Sequence, residues 1–263
     1  VKKQWLMPLL FCFKPYGKIV FCNFAIIKRN MKNIVLASTS TLYGGQYLDY
    51  LKDTISELFA GVDTIVFVPF ARPGGISHDE YTAKASEFFS GIGINVVGLH
   101  TFDNKVEAIK NAQGFFTGGG NTFLLVKELH EAGLMAALKA VVESGTPYMG
   151  ASAGSNIGGM NMRTTNDMPF VYPPSFDTMG LVPFKLNPHY LDPQPELKHN
   201  GETRETRIRE FHTQNTIPVV GLREGNWIRV KGDKISVEGS ESTRIFEAGK
   251  DPYELPSGAP LNF

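Results

Sequence analysis

The stretch Pro147-Tyr148-Met149-Gly150-Ala151-Ser152-Ala153-Gly154 decides how this chain is read. A short apolar run ends in Gly-x-Ser-x-Gly and passes directly into a helix-compatible segment, Ser155 to Gly159. That order describes a strand, a sharp turn carrying a serine, and a helix. A serine held at such a turn has its hydroxyl pushed into a cleft, and small neighbours let the backbone pass closely. The turn also puts the Ala153 amide at a helix N-terminus, where it is placed to receive negative charge developing on an oxygen. A bare Gly-x-Ser-x-Gly also occurs in glycine-rich connections that merely bury a serine, so the rest of the chain has to decide.

Working outward, Asn33 to Ala37, Thr64 to Pro69, Ile94 to Leu99, Gly114 to Thr117 and Pro147 to Gly150 have the composition of short buried strands. Between them, Gly45 to Phe59, Asp79 to Phe89, Val106 to Asn111, Thr122 to His130 and Leu134 to Glu143 carry apolar residues three and four apart, the period of a helix. The alternation predicts a three-layer α/β fold, with a mostly parallel sheet, right-handed crossovers and helices on both faces. From Pro218 the style changes. Pro218 to Leu222, Trp227 to Val230, Lys234 to Val237 and Thr243 to Phe246 are closely spaced strands separated by Gly-Asn and Gly-Asp turns. They predict antiparallel hairpins at the C-terminal edge of the sheet.

Composition excludes several classes. With 26 basic against 26 acidic side chains there is no electrostatic case for nucleic acid or an anionic membrane. Cys12 and Cys22 are the only cysteines, which leaves the rest of the chain without a disulfide framework or a thiolate zinc site. The histidines lack metal-ligand spacing, so neither a metal nor another cofactor is expected. Residues 1–30 are read as an upstream extension outside the fold, with Met31 as the natural start and one α/β domain over 31–263. Lys2 and Lys3 before the apolar run Trp5 to Phe13 imitate a secretory signal, but Pro8 interrupts it and no cleavage site follows. Lys14 and Lys18 end that run well short of the roughly 20 residues a membrane span needs.

In parallel sheets, ligands bind beyond the carboxyl ends of the strands. Besides the serine turn, two loops there carry unusual residues. Gly118-Gly119-Gly120-Asn121-Thr122 follows a strand and lets backbone amides approach a carbonyl with no side chain between, a second half for an oxyanion hole. As a phosphate cradle it would lack the Walker lysine and the Gly-x-Gly-x-x-Gly spacing. Asn187-Pro188-His189 follows the apolar run Leu181 to Leu186 and offers His189 as the base a serine needs. His78, His100, His130, His199 and His212 lie at helix ends or in polar segments and read as structural or surface residues. For the carboxylate that orients the base, three candidates stand. Glu224 sits at a strand end before a turn, Asp167 gives a Ser…Asp…His order, and Asp192 is more remote. Amidotransferase-like folds place a glutamate two residues beyond the histidine, but here that position is Leu191. Spacing alone leaves the choice open.

Six ordered motifs carry a resemblance. They are Gly118-Gly119-Gly120-Asn121-Thr122-Phe123, Gly150-Ala151-Ser152-Ala153-Gly154, Arg163-Thr164-Thr165-Asn166-Asp167-Met168-Pro169, Asn187-Pro188-His189, Gly201-Glu202-Thr203-Arg204-Glu205 and Glu224-Gly225-Asn226-Trp227-Ile228. In these the chain, from Met31 onward, resembles the peptidase E family of serine peptidases, which also contains cyanophycinase. The resemblance implies a class I glutamine amidotransferase-like α/β fold. It also implies metal-free hydrolysis of dipeptides with an N-terminal aspartate through an acyl-enzyme.

By the same resemblance Ser152 matches the nucleophile and His189 the base, with Glu224 favoured over Asp167 as third member; the serine turn and the triglycine loop themselves offer the Ala153 and Gly120 amides as oxyanion donors. Aspartate selectivity calls for a cation facing the substrate carboxylate; Arg204 leads, Arg163 follows, and Asn121 lies beside the triglycine run. Ala151 departs from the family, which tends to carry tryptophan there, and reshapes the pocket beside the serine. The expected partners are small peptides, with no nucleic acid or membrane, and the expected state is a cytoplasmic monomer or homodimer. Two other readings stay open: a related hydrolase such as a cyanophycinase-like peptidase or esterase, and a non-catalytic amidotransferase-like binding module.

Overall fold

The computed structural model describes residues 32–193 and 201–263; the expected extension 1–30, Met31 and His199 lie outside them. Strands β1 (Asn33–Ala37), β2 (Thr64–Val68), β3 (Asn95–Gly98), β4 (Phe115–Thr117) and β5 (Tyr148–Ala151) lie parallel in the order β3-β2-β4-β5-β1. Each is short, and β1, β2, β4 and β5 are buried almost throughout. This is the pattern of strands covered on both faces.

The two faces can be read residue by residue. Ile34, Leu36, Val66, Val68, Phe115 and Tyr148 join one core, whereas Val35, Ala37, Ile65, Phe67, Phe116 and Met149 join the other. Helices α1 (Lys52–Leu58) and α2 (His78–Ser90) bury Ile55, Leu58, Tyr81, Ala85 and Phe89 in the second core. Helices α3 (Lys105–Asn111), α4 (Thr122–Glu131) and α5 (Leu134–Glu143) cover the first core through Ile109, Leu125, Leu129, Leu138 and Val142. Helix α2 begins in a reciprocal cap, in which Glu80 N donates to Ser77 Oγ and Ser77 N donates to Glu80 Oε2. The helix expected over Gly45 to Phe59 is shorter, a single tight turn at Asp49–Leu51 and then α1, because Leu48 turns left-handed at φ 59°.

After the short helix α6 (Ala153–Asn156), β6 (Lys185–Pro188) and β7 (Val219–Leu222) pair in parallel within a second, four-stranded sheet. The hairpin β8 (Asn226–Lys231) and β9 (Lys234–Gly239) returns to the first sheet, with β8 antiparallel to β1, and supplies the expected antiparallel edge. Strands β10 (Thr243–Phe246) and β11 (Tyr253–Leu255) complete the second sheet in the order β11-β10-β7-β6. Thus Pro218 to Leu222 and Thr243 to Phe246, which read as hairpin strands, pair with each other away from the main sheet. Val220, Leu222 and Ile245 pack into the core shared with α4 and α5, and that burial fixes where the second sheet sits. Among the described residues no helix is long and apolar enough to cross a membrane.

Candidate active site

Strands β4 and β5 are neighbours, so the loops leaving their carboxyl ends lie side by side. Ser152 leaves β5 at φ 53° and ψ −110°, a conformation few residues with a side chain adopt. Its strain is held by surrounding bonds. Ser152 N donates to Ala37 O at 3.0 Å, and the single hydroxyl hydrogen of Ser155 is shared between Ala37 O at 2.7 Å and Gly150 O at 2.8 Å. The flanking glycines are required by contact. A Cβ on Gly150 would lie 2.3 Å from Gly154 O, and one on Gly154 would lie 2.1 Å from Thr117 O. Both obstacles are backbone, so Gly154→Ala has to displace β4 or the turn. We expect a loss of about 3 kcal/mol, seen in calorimetry as a fall of roughly 10 °C in Tm for a chain of this size.

The second sheet brings up the other partners. Pro188 of β6 is in register with Leu222 of β7, so the residues that follow these parallel strands emerge together. His189 Nδ1 lies 2.6 Å from Glu224 Oε1, and His189 Nε2 lies 3.0 Å from Ser152 Oγ. With its proton on Nδ1 facing the carboxylate, the imidazole presents a lone pair to the serine hydroxyl. His189 also sits at positive φ, 54°. Its backbone is pinned by Ser38, whose buried hydroxyl accepts from His189 N at 2.8 Å and donates to Leu222 O at 2.8 Å. Glu224 is fixed by its neighbours. Asn226 N closes a turn onto Arg223 O, and Gly225 supplies the φ of 89°. Arg223 grips Asp192 through both carboxylate oxygens and reaches Glu254 as well.

The other acids weighed from the sequence are occupied elsewhere. Asp192 belongs to the Arg223 clamp. Asp167 Oδ2 accepts from Thr122 N at 2.7 Å and from Thr165 Oγ1 at 2.9 Å, placing a carboxylate on the first amide of α4. Asp167 thus supports the triglycine loop and α4, and the carboxylate in contact with His189 is Glu224. The whole Arg163–Asp167 segment is strapped to β6. Asn187 Nδ2 donates to Thr164 O, Thr164 Oγ1 to Leu186 O, and Asn166 Nδ2 to Pro188 O.

Among the described residues neither the Gly120 nor the Ala153 amide donates to a protein backbone carbonyl, which leaves both open to a substrate oxygen. Gly119 packs against Ser152, since a Cβ there would lie 3.1 Å from Ser152 Cβ. Asn121 caps α4 through Leu124 N and donates to Met168 O, so its side chain works inside the protein. Arg163 donates to Asn215 Oδ1 and stacks over Phe211, at the far end of α7 (Arg204–Phe211) from Arg204. Beside it Lys185 is buried, bonded to Asn161 and set over Phe211; burial and then the Arg163 charge pull its ammonium down to about 8.

Arg204 differs. It is half-buried, its Nη1 is buried with no hydrogen-bond partner among the described residues, and burial followed by the Arg207 charge lowers its pKa. Glu224, Asp167 and Tyr190 act on it in the opposite direction, so the guanidinium lies within electrostatic reach of the His189–Glu224 pair. Sequence reasoning missed Ser38. The signal was present, a polar Ser-Thr-Ser-Thr run directly after an apolar strand, at the strand end where ligands bind. No group of three or more His, Cys, Asp or Glu side chains converges as a metal site among the described residues.

The family model described as Peptidase family S51 matches residues 34–238. The chain is 46% identical over 230 residues to peptidase E of Streptomyces coelicolor, covering 88% of this chain and 93% of that one. It is 43% identical over 235 residues to a probable alpha-aspartyl dipeptidase of Drosophila melanogaster, covering 88% and 97%. Two solved structures share the fold. A peptidase from an acI-B1 actinobacterium has a TM-score of 0.67 at 17% identity, covering 90% of this chain and 98% of that one. A putative peptidase E protein from Listeria monocytogenes EGD-e has a TM-score of 0.60 at 20% identity, covering 80% and 100%. The matched span takes in the serine turn, the glycine loop, His189 and Glu224, and the chain belongs to peptidase family S51.

Proposed function

We propose that this peptidase hydrolyses dipeptides bearing an N-terminal aspartate, with Ser152, His189 and Glu224 as its catalytic relay. The carrying observation is the unbroken hydrogen-bonded chain from Ser152 Oγ through the imidazole to Glu224 Oε1. In the acylation step the Ser152 oxygen bonds to the aspartyl carbonyl carbon while His189 Nε2 takes the hydroxyl proton. The carbonyl oxygen becomes an oxyanion and receives the amides of Gly120 and Ala153, each such donor being worth about 3 kcal/mol in the barrier. His189 returns its proton to the leaving amine as the C–N bond breaks. Water then adds to the acyl-enzyme by the same relay and frees aspartate.

Arg204 supplies the selectivity in this reading. A half-buried guanidinium with an unsatisfied donor gains most from a ligand that brings a carboxylate. The names of the Streptomyces and Drosophila relatives support the same substrate class. The test compares Asp-Leu with Asn-Leu and Ala-Leu. Arg204→Met should cut kcat/KM for Asp-Leu by roughly 100-fold, the cost of a lost charge-assisted pair, and leave Asn-Leu nearly unchanged. Equal discrimination before and after the substitution removes Arg204 from the role. A chain that prefers cyanophycin over Asp-Leu would instead be cyanophycinase-like.

A further inference from the structure

The glycine loop is held from behind by a side chain on the opposite core. Tyr81, buried on α2, donates its hydroxyl to Gly119 O at 3.1 Å. The phenol also lies flush against Gly118, where a Cβ would fall 2.3 Å from the Tyr81 oxygen. Its ring is locked edge-on to Phe67 with centroids 4.9 Å apart, and the Arg72 guanidinium lies 4.9 Å above it. Burial pushes the phenol pKa up, so the hydroxyl remains a donor.

In a trans peptide the carbonyl of one residue and the amide of the next point in opposite directions. The Gly119 carbonyl faces Tyr81 in the α2 core, so the Gly120 N–H of the same peptide faces the other way. Two further contacts wedge this unit. A Cβ on Gly120 would meet Ala71 O at 2.2 Å, and Asn121 N donates to Ala71 O at 2.7 Å.

We propose that Tyr81 is a positioning residue for the hydrolysis. By holding Gly119 O it aims the Gly120 amide at the oxyanion formed beside Ser152. This rests on the reading of Gly120 as an oxyanion donor. Tyr81 touches no substrate and acts only through the tilt of one peptide plane.

Tyr81→Phe removes the hydroxyl and keeps the ring contacts. With an aspartyl p-nitroanilide, kcat should fall roughly 10- to 100-fold, somewhat less than loss of a whole oxyanion donor, with KM within about twofold. Affinity for an aspartic aldehyde, whose serine adduct carries the oxyanion, should weaken by the same factor as kcat. Affinity for aspartate itself should not change. A merely structural tyrosine would lower aldehyde and aspartate affinity together, and that result overturns the proposal, as does an unchanged kcat. If the variant fails to fold, the wild-type protein still decides. Its Gly120 amide proton should move downfield and exchange more slowly on aldehyde binding, and a stationary resonance defeats the idea. A fluorophosphonate probe of Ser152 separates the two readings. Wild type that reacts with the probe but spares aspartyl amides disproves the substrate assignment, and the Tyr81→Phe effect is then read on the probe rate. Wild type inert to both overturns the relay and the Tyr81 role together.

Discussion

Ser152→Ala should leave a folded protein whose kcat is lower by a factor of about 10⁶, the loss seen when a hydrolase forfeits its nucleophile. The fold survives because the structural bonds at the turn do not use Oγ. Ser152 contributes its backbone to Ala37 O, and the hydroxyl that ties the turn together belongs to Ser155. Removing the Ser152 side chain also relieves none of the φ 53° strain, since alanine meets the same Cβ penalty. Circular dichroism and Tm should therefore match wild type while release of aspartate from Asp-Leu falls to background. Substantial residual activity in pure Ser152→Ala protein would remove the serine from the chemistry.

Glu224→Gln should lower kcat by about 10⁴, the scale found when the orienting carboxylate of a triad becomes an amide. The amide loses the charge that stabilises the imidazolium, and its NH2 group favours the tautomer with the proton on the wrong nitrogen. KM should change little. Asp167→Asn provides the contrast. Its carboxylate caps α4 through Thr122 N, so the substitution weakens a helix terminus worth about 1 kcal/mol. It should lower Tm measurably and kcat about tenfold or less, through a looser glycine loop. Steady-state kinetics beside thermal melts separate the two acids; a larger kcat loss in Asp167→Asn would reverse the assignment.

Much of the fold was legible because its strands are short, apolar and bounded by turn residues. The runs Asn33 to Ala37 and Thr64 to Pro69 announce themselves by composition, and Thr122 to His130 by spacing, each within a residue of the observed element. Ser152 and His189 were legible for the same reason, each lying at the end of such a run. The choice between Glu224 and Asp167 was not, because it depends on pairing. Only the parallel register of Lys185–Pro188 with Val219–Leu222 carries Glu224 to the histidine across 35 residues of chain. The split of the C-terminal strands between two sheets was hidden likewise, since an alternating strand reads alike whichever edge it joins. Tyr81 stayed out of view as an ordinary apolar position on α2.

The hydroxyl of Ser38 ties the end of the first strand to both strands of the second sheet that present the imidazole and its carboxylate. On the proposed relay Ser152 comes from the first sheet and His189 and Glu224 from the second, so the two sheets must dock before the hydrogen-bonded chain can form. Ser152 precedes Glu224 by more than seventy residues, so in this reading the relay stays incomplete until the second sheet has docked on the first. Because Val220, Leu222 and Ile245 of that sheet share the core under α4 and α5, loss of the docking and loss of the fold should come together, and activity should fall along with the thermal melt.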